Sequence, residues 1–353
     1  MQTIAITQGD PAGIGPEIVA KAFRDAPDDL RGCFAVGDLA TLRRAAQCIV
    51  RPGVLELPVA QIVSPDDAWH VPPRCMPVLQ LPGLPGPVPW GRVSAAAGRA
   101  AADCVVWAAR AALQGHIAAL VTAPLHKEAL SAAGVAFPGH TELLQAEAAT
   151  HQGVPLAAMP VRMMLANAEL KTVLNSIHVS LREAIEAVTV ENVMQTIQVA
   201  QAFLEKQENI RAAGRKPIIA VAGLNPHAGE AGRFGREEID TIGPAIEAAR
   251  QQGMDVRGPF PPDTVFMTAR AQAHKNPPFC DVVIAMYHDQ GLIPVKYLGV
   301  QHGVNVTLGL PLLRTSPDHG TAFDLAGSGR ADSSSMLEAV RLALHMASSS
   351  QAS

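Results

Sequence analysis

The sequence of 353 residues contains few aromatic and few charged side chains, 4% and 17% of the total. Its formal net charge is −4, and no cluster of lysine and arginine contains interleaved aromatic residues. A nucleic-acid surface needs such a cluster, so we expect no nucleic-acid partner. The expected partners are small molecules.

Paired cysteines and long apolar runs are also missing. The five cysteines include no C-x-x-C pair, which favours scattered thiols in a reducing compartment over a disulfide framework. No basic segment precedes an apolar stretch at the N-terminus, and charges interrupt every apolar run before about 18 residues. We therefore expect a cytoplasmic protein with neither a signal peptide nor a membrane span.

Hydrophobic residues make up 48% of the chain, enough for two domains or one large α/β unit. Short β-branched runs alternate with segments whose apolar residues recur at helical spacing. Strands are predicted at 3–7, 117–123, 161–166, 216–223 and 281–287, and helices at 16–26, 94–115, 190–207 and 236–253. This alternation predicts an α/β fold with largely parallel sheets.

The stretch GDPAGIGPE, residues 9–17, lies between a predicted strand and a predicted helix. Pro16 suits the first helical position, and a helix N-terminus attracts anions. However, the glycine spacing matches neither dinucleotide-binding nor P-loop patterns, and two prolines remove backbone donors. A structural turn and an anion site both remain open from these residues alone.

Three histidines lie in predicted loops, and two of them directly follow predicted buried strands, where ligands of open α/β sheets gather. They are His178, His227 and His288. A single histidine is more often a satisfied structural residue, but three such placements favour a divalent-metal site. Imidazoles suit zinc, cobalt, nickel or iron, and three protein ligands leave positions open for substrate.

Two further segments contain candidates for anion and cofactor binding. In GHTELL, Thr141 could be a helix N-cap, or His140 and Thr141 could hold an oxyanion at the helix N-terminus. Lys296, Asn305 and Arg314 lie among apolar and glycine residues, so the two cations either extend to the surface or await an anionic ligand. The adjoining DHGTAFDLAG is typical of a cofactor-contacting loop.

Seven blocks, in order, resemble the 4-hydroxythreonine-4-phosphate dehydrogenase family of the pyridoxal phosphate pathway, and the similarity runs from about residue 3 to 346. The blocks are GDPAGIGPE, TAPLHKEAL, GHTELL, GLNPHAGE, GPFPPDTVF, AMYHDQGLIPVK and GLPLLRTSPDHGTAFDLAG. AGIGPE and HGTAFDLAG are also similar to motifs of the wider isocitrate and isopropylmalate dehydrogenase group.

The resemblance implies an isocitrate/isopropylmalate dehydrogenase-like two-domain α/β fold with largely parallel sheets and an interdomain cleft. The first domain, on the cofactor side, would comprise 1–135 and 302–353. The second, 136–301, would carry the metal, the substrate and the interface of a homodimer with shared active sites. GDPAGIGPE would then be a loop at the mouth of the cleft, with Asp10 near the cofactor but without a catalytic role.

The resemblance also assigns roles to residues. It implies metal ligands at His178, His227 and His288 for Zn, Co or Mg, substrate contacts at His140, Thr141, Lys296, Asn305 and Arg314, and cofactor contacts at Asp324, His319 and Gly320. Lys296 and Asp263 are the candidates for proton transfer. The carboxylate of Asp324 would repel a 2′-phosphate, which favours NAD over NADP.

The implied reaction is oxidation of 4-phosphooxy-L-threonine to a 3-keto acid, which decarboxylates to 3-amino-2-oxopropyl phosphate. Three alternatives remain. The first is a different substrate: some relatives oxidise phosphorylated threonate or erythronate, or another hydroxy acid, so the substrate is less certain than the chemistry. The segment 150–161 also looks longer than the family pattern. The other two are a metal-dependent hydrolase or lyase without nicotinamide, and a catalytically silent binding module.

Overall fold

The protein is described by a computed structural model that covers residues 3–50, 52–53, 55–82, 84 and 86–350. It contains two compact units. The first comprises the described residues up to Met159 together with Leu310–Ala347, and the second is formed mainly by Pro160–Gly309. No helix in the part of the chain just defined is long and apolar enough to cross a membrane.

The first unit contains a wholly parallel sheet. Its strands are β1 (Ile4–Thr7), β2 (Cys33–Gly37), β3 (Val59–Ile62), β4 (Met76–Gln80), β5 (Ala119–Thr122) and β12 (Arg314–Pro317). They lie in the order β3-β4-β2-β1-β5-β12. The central strands β1 and β5 are fully buried, as expected for a parallel sheet that is covered on both faces.

The helices of the first unit are α1 (Gly15–Asp25), α2 (Leu39–Cys48), α3 (Ala95–Leu113), α4 (Lys127–Ala132), α5 (His140–Gln152) and α12 (Ser334–Ser350). Gly98 allows the alanine-rich α3 to pack closely against α4, because a side chain at this position would collide with the carbonyl oxygen of Ala129.

The boundaries between the units differ from the expected 135/136 and 301/302. Residues 136–159 belong to the first unit because Leu143 and Leu144 of α5 pack in its core with Val105 and Leu120. Burying these side chains against the first sheet removes apolar surface from water and fixes α5 there. His140 and Thr141 are therefore part of the first unit.

The second unit has a mixed sheet, in the order β11-β6-β7-β10-β8-β9. Its strands are β6 (Arg162–Ala166), β7 (Lys171–Leu174), β8 (Ile218–Ala222), β9 (Asp255–Phe260), β10 (Val282–Ala285) and β11 (Val304–Leu308). The strands β7, β10, β8 and β9 are parallel, whereas β6 runs antiparallel to both β7 and β11. The mixed α/β class with mostly parallel strands is confirmed.

The helices of the second unit are α6 (Leu181–Glu186), α7 (Val190–Leu204), α8 (Glu208–Ala212), α9 (Gly243–Gln251), α10 (Val265–Ala271) and α11 (His288–Tyr297). A π-helical turn, Glu238–Ile242, leads directly into α9. A core of buried apolar residues, among them Leu165, Val283 and Leu292, lies between the sheet and the helices.

Candidate active site

Three neighbouring parallel strands of the second unit place the three predicted histidines. His178 follows β7, His227 follows β8 and His288 follows β10. Because β7, β10 and β8 are adjacent and parallel, their carboxyl ends lie at one edge of the sheet. The imidazole rings of His178 and His288 are 5.7 Å apart between centroids. The topology therefore brings these two histidines together.

His288 is oriented by its neighbour in the chain. Its Nδ1 lies 2.7 Å from Oδ1 of Asp289, at the start of α11. A carboxylate only accepts hydrogen bonds, so Nδ1 is the donor, and in the neutral ring Nε2 keeps its lone pair. Histidine ligands of metals commonly have this arrangement.

His227 lies in an unusual left-handed turn. Residues 227–231 all have positive φ, with φ of 52° at His227, and four of the five are not glycine. Left-handed backbone costs roughly 1–2 kcal/mol at each such residue. Strain of this kind persists where surrounding structure enforces it, often at functional sites.

Glu238 enforces the path of the chain into this turn. Its buried carboxylate accepts hydrogen bonds from the backbone N–H groups of Leu224 and Asn225, at 2.8 and 2.7 Å, and from the Asn225 side-chain amide at 2.9 Å. These bonds fix the segment between β8 and the turn. Glu238 therefore acts as a positioning residue for His227.

The three histidines suit a divalent ion by their chemistry and by their common sheet edge. Within the described residues, no three histidine, cysteine or acidic side chains are gathered closely enough to form a metal-binding group. A cleft of about 500 Å³ is lined by His227, Asp263, Tyr287 and Asp289, among others. The cleft brings two carboxylates to the same surface as His227.

The remaining candidates of the second unit lie on α11 and β11. Lys296 is partly buried in the last turn of the helix that begins at His288. Asn305 is partly buried on β11, opposite Leu165 of β6. The side chain of Asp263 is exposed.

In the first unit, a buried guanidinium marks the meeting of two strands. Arg314 opens β12 and is 3% exposed. Its Nε and Nη2 donate to the hydroxyl oxygen of Thr122, at 3.0 and 2.7 Å. Burial lowers the pKa of Arg314 to about 10, so the side chain remains a cation at neutral pH. A buried cation favours anion binding.

His140 is the first residue of α5, and its Nε2 is buried without a hydrogen-bond partner among the described residues. Burial, and then the positive charge of Arg314, holds the pKa of His140 well below its usual value of 6.5. The imidazole is therefore neutral at physiological pH. The helix N-cap is Gly139, so the N-cap alternative for Thr141 is wrong: α5 begins two residues earlier than that alternative requires.

The predicted cofactor loop lies beside GDPAGIGPE. Ile14 donates its backbone N–H to the carbonyl oxygen of Thr321 at 3.0 Å, and the Phe323 ring stacks on His126 with centroids 4.4 Å apart. Gly13 is needed here, because a Cβ would lie 3.0 Å from Thr321. GDPAGIGPE thus packs as a turn against the loop.

Polar atoms in this region are incompletely satisfied. Nδ1 of His319 lies 3.1 Å from the carbonyl oxygen of Gly320, whereas its Nε2 is buried without a partner in the described chain. Asp10 is buried; its Oδ1 accepts from Ala12 N–H at 2.8 Å, and burial raises its pKa. Asp324 is exposed. Buried, unsatisfied polar groups in such a loop are suited to a polar ligand.

Sequence reasoning missed four contributors to these sites. They are Thr122, His126, Glu238 and Asp289. Asp289 could have been found, because it directly follows His288. The other three act across long sequence separations and carry no local signal.

Comparison with known proteins supplies the family. A sequence profile described as "Pyridoxal phosphate biosynthetic protein PdxA" matches residues 29–343. A 4-hydroxythreonine-4-phosphate dehydrogenase of Beijerinckia indica is 50% identical over 94% of this chain and 91% of its own. A D-threonate 4-phosphate dehydrogenase of Salmonella typhimurium is 44% identical over 98% and 99%.

A solved structure supports the same family. The crystal structure of 4-hydroxythreonine-4-phosphate dehydrogenase from Klebsiella pneumoniae is 41% identical, covers 98% of this chain and 100% of its own, and superposes with a TM-score of 0.84.

Proposed function

The chain belongs to the PdxA family of pyridoxal phosphate biosynthetic proteins and is an oxidoreductase of the CH–OH group, and from this premise we propose that it oxidises 4-phosphooxy-L-threonine with NAD and a divalent ion. The hydroxyl at C3 becomes a ketone. The resulting 3-keto acid loses carbon dioxide and leaves 3-amino-2-oxopropyl phosphate.

The observation that carries this proposal is the placement of three histidines behind β7, β10 and β8, adjacent parallel strands of one sheet. His178, His227 and His288 would hold Zn, Co or Mg. The ion would supply Lewis acidity toward the alcohol and ketone oxygens, and NAD would accept the hydride.

Anion binding is assigned to the first unit. Arg314 provides a buried cation, fixed by Thr122, and His140 provides a buried Nε2 beside that charge. Both suit a phosphate or a carboxylate, and Thr141 adds a hydroxyl in the first turn of α5. Phosphate binding would offset the charge of Arg314 and raise the pKa of His140.

Proton transfer is assigned to the second unit. Lys296 is the first candidate base, because it is partly buried on the helix that begins at His288. Asp263, on the cleft that His227 also lines, is the second candidate. Asn305 is assigned to orientation of a polar substrate group.

Cofactor binding is assigned to the loop that packs on GDPAGIGPE. His319 has a buried, unsatisfied Nε2 within the described chain, and Gly320 leaves space beside it. Asp324 is exposed and free to accept from ribose hydroxyls, which supports NAD over NADP.

A second candidate substrate is D-threonate 4-phosphate, because a relative of that name is 44% identical over 98% of the chain. The two substrates differ at C2, where one carries an ammonium group and the other a hydroxyl. The phosphate and the carboxylate are common to both, so the anion-binding assignments hold for either.

The test is a panel of phosphorylated hydroxy acids with NAD and with NADP, in metal-depleted buffer and with added Zn, Co or Mg. We expect nicotinamide reduction and carbon dioxide release with 4-phosphooxy-L-threonine, dependent on metal. Preferential turnover of D-threonate 4-phosphate would establish the second candidate. Phosphate release without nicotinamide reduction would support the hydrolase alternative, and full activity without metal would overturn the metal assignment.

A homodimer is also proposed. Pairs of exposed apolar side chains occupy one face of α6, Leu181 and Ile185, and one face of α11, Ile293 and Tyr297. Each pair is spaced by four residues, so its members lie together on the helix surface. Such patches are typical of surfaces that a partner covers. Light scattering of the wild type and of Tyr297→Glu tests the assignment: a dimer and a weakened dimer are expected.

A further inference from the structure

A second cleft, of about 310 Å³, lies at the opposite edge of the second unit's sheet. Its lining includes Lys171, the first residue of β7, and Val282, the first residue of β10. The three histidines follow the carboxyl ends of these strands and of β8. The cleft therefore lies at the amino ends, away from the candidate active site.

Three cations line this cleft, Lys171, Arg215 and Lys275, and the two carboxylates beside them are already engaged. Asp281 accepts two hydrogen bonds from the guanidinium of Arg215, at 2.7 and 2.6 Å. Glu169 accepts from Arg270 at 2.6 Å. Each carboxylate is thus paired with an arginine, so neither of them balances the positive charges of Lys171 and Lys275.

Lys171 is the unusual member of this group. Its side chain is partly buried, and its amine makes no hydrogen bond or ion pair with any residue that the structure describes. Burial lowers its pKa, against the opposing charge of Asp281. A partly buried cation without a partner is unfavourable, so an anion that entered the cleft would be stabilised.

The lining also suits an aldehyde. An amine that is less protonated than usual is a better nucleophile toward carbonyl carbon, and lysines of this kind form imines. Lys275 supplies positive charge in the same cleft, whereas the charge of Arg215 is matched by Asp281, and a cation at this position suits a phosphate group. A cleft of this size is large enough for one small ligand.

We propose that this cleft is a second small-molecule site, which binds the phosphate of a phosphorylated aldehyde at Lys275 and forms an imine with the amine of Lys171. The unprotonated Nζ attacks the aldehyde carbon, a C=N bond forms, and the carbonyl oxygen leaves as water. The step needs no oxidant or reductant. It does not depend on the proposed reaction, because the site lies at the other edge of the sheet.

Pyridoxal 5′-phosphate is the probe, because it carries both groups. The full chain is incubated with the probe, reduced with borohydride and digested, and the modified lysines are quantified by mass spectrometry. Lys171 is expected to react at concentrations at least about tenfold below those that label Lys216, an exposed lysine that donates to the carbonyl oxygen of Gly253. Inorganic phosphate should protect Lys171.

Two comparisons make the test specific. Pyridoxal without the phosphate should label Lys171 at least about tenfold less than the phosphorylated probe. Lys275→Gln should reduce this preference, whereas the matched Lys216→Gln should not. Equal labelling of Lys171 and Lys216, equal efficiency of the two aldehydes, or an unchanged preference in Lys275→Gln would overturn the proposal. Lys275→Gln should keep full dehydrogenase activity, so failure here is distinguishable from failure of the proposed function.

Discussion

Arg314 donates two hydrogen bonds to the hydroxyl oxygen of Thr122, one from Nε and one from Nη2. The two residues are far apart in the sequence but lie at the end of β5 and the start of β12, which are paired. One hydroxyl thereby fixes the plane of a buried guanidinium. The geometry of the proposed phosphate site depends on this contact.

The first prediction follows from that contact. Thr122→Val keeps the shape of the side chain but removes the hydroxyl oxygen. The buried Nε–H and Nη2–H groups of Arg314 then lose this hydrogen-bond acceptor. We expect a stability loss of about 1–3 kcal/mol and a raised KM for phosphorylated substrate. Urea unfolding and steady-state kinetics measure the two effects.

Thr122→Ser is the matched control, because it keeps the hydroxyl. It should retain most of the substrate affinity. If Val and Ser at this position raised KM equally, the hydroxyl would have no role in positioning Arg314.

The second prediction concerns His140 and pH. Its pKa in the folded protein is below 6.5, so the unfolded chain takes up the proton first on acidification. The contribution of neutral His140 to the free energy of unfolding is therefore fully present above about pH 6.5 and is lost as the pH falls below that value. The slope attributable to one such group is at most about 1.4 kcal/mol per pH unit.

His140→Gln should reduce this acid-dependent loss while keeping a polar side chain in place. Urea midpoints at several pH values between 5 and 8, roughly the range in which histidine titrates, provide the measurement. The exposed His70→Gln serves as the control and should follow the wild type. A His140→Gln profile parallel to that of the wild type would contradict the neutral, buried state of His140.

Local pattern predicted five of the twelve strands in the described residues, namely β1, β5, β6, β8 and β10. The runs at 3–7 and 281–287 are strands because they combine β-branched residues with burial on both faces, and the structure contains β1 and β10 there. Among the strands that were not predicted are β3 and β12, because Val59–Ile62 is half-exposed and Arg314–Pro317 opens with a charge. Tertiary pairing, rather than propensity, makes these segments strands.

For the site, the sequence could predict that each histidine follows a strand, but it could not predict which imidazole rings lie close together. The 5.7 Å between His178 and His288 results from strand order, since β10 inserts beside β7 although more than a hundred residues separate them. The left-handed turn at His227 was also unpredictable, because four of its five residues are not glycine and Glu238 holds the preceding segment.

The third prediction tests the metal assignment. His227→Ala should lose bound divalent ion and reduce turnover by at least about 100-fold, because metal sites contribute several kcal/mol to such reactions. The exposed side chain makes unfolding of the variant unexpected. Metal content by mass spectrometry and circular dichroism separate the two effects. The exposed His116→Ala is the control, and a His227→Ala protein with full metal content would refute the assignment.

The fourth prediction concerns the choice between NAD and NADP. Asp324→Asn removes the negative charge proposed to face the adenosine ribose. We expect kcat/KM with NADP to rise relative to NAD by about tenfold, the equivalent of about 1.4 kcal/mol. The exposed Asp66→Asn is the charge-matched control. An unchanged ratio would place the ribose elsewhere.

The fifth prediction isolates the positioning role of Glu238. In Glu238→Gln the side chain keeps its size and one oxygen that can accept from the backbone N–H groups of Leu224 and Asn225, but the negative charge is lost and an amide donor replaces the oxygen that accepts from the Asn225 side chain. The segment before the His227 turn should then loosen. Because outer-shell partners contribute about 10–100-fold to metal affinity or activity, we expect a loss in that range. Metal titration is the measurement, and excess metal should restore turnover.

Glu237→Gln provides the matched control, since Glu237 contacts only the Asn225 amide of this segment, at 2.7 Å. A Glu238→Gln protein that binds metal as tightly as Glu237→Gln would show that the turn holds its left-handed path without that carboxylate.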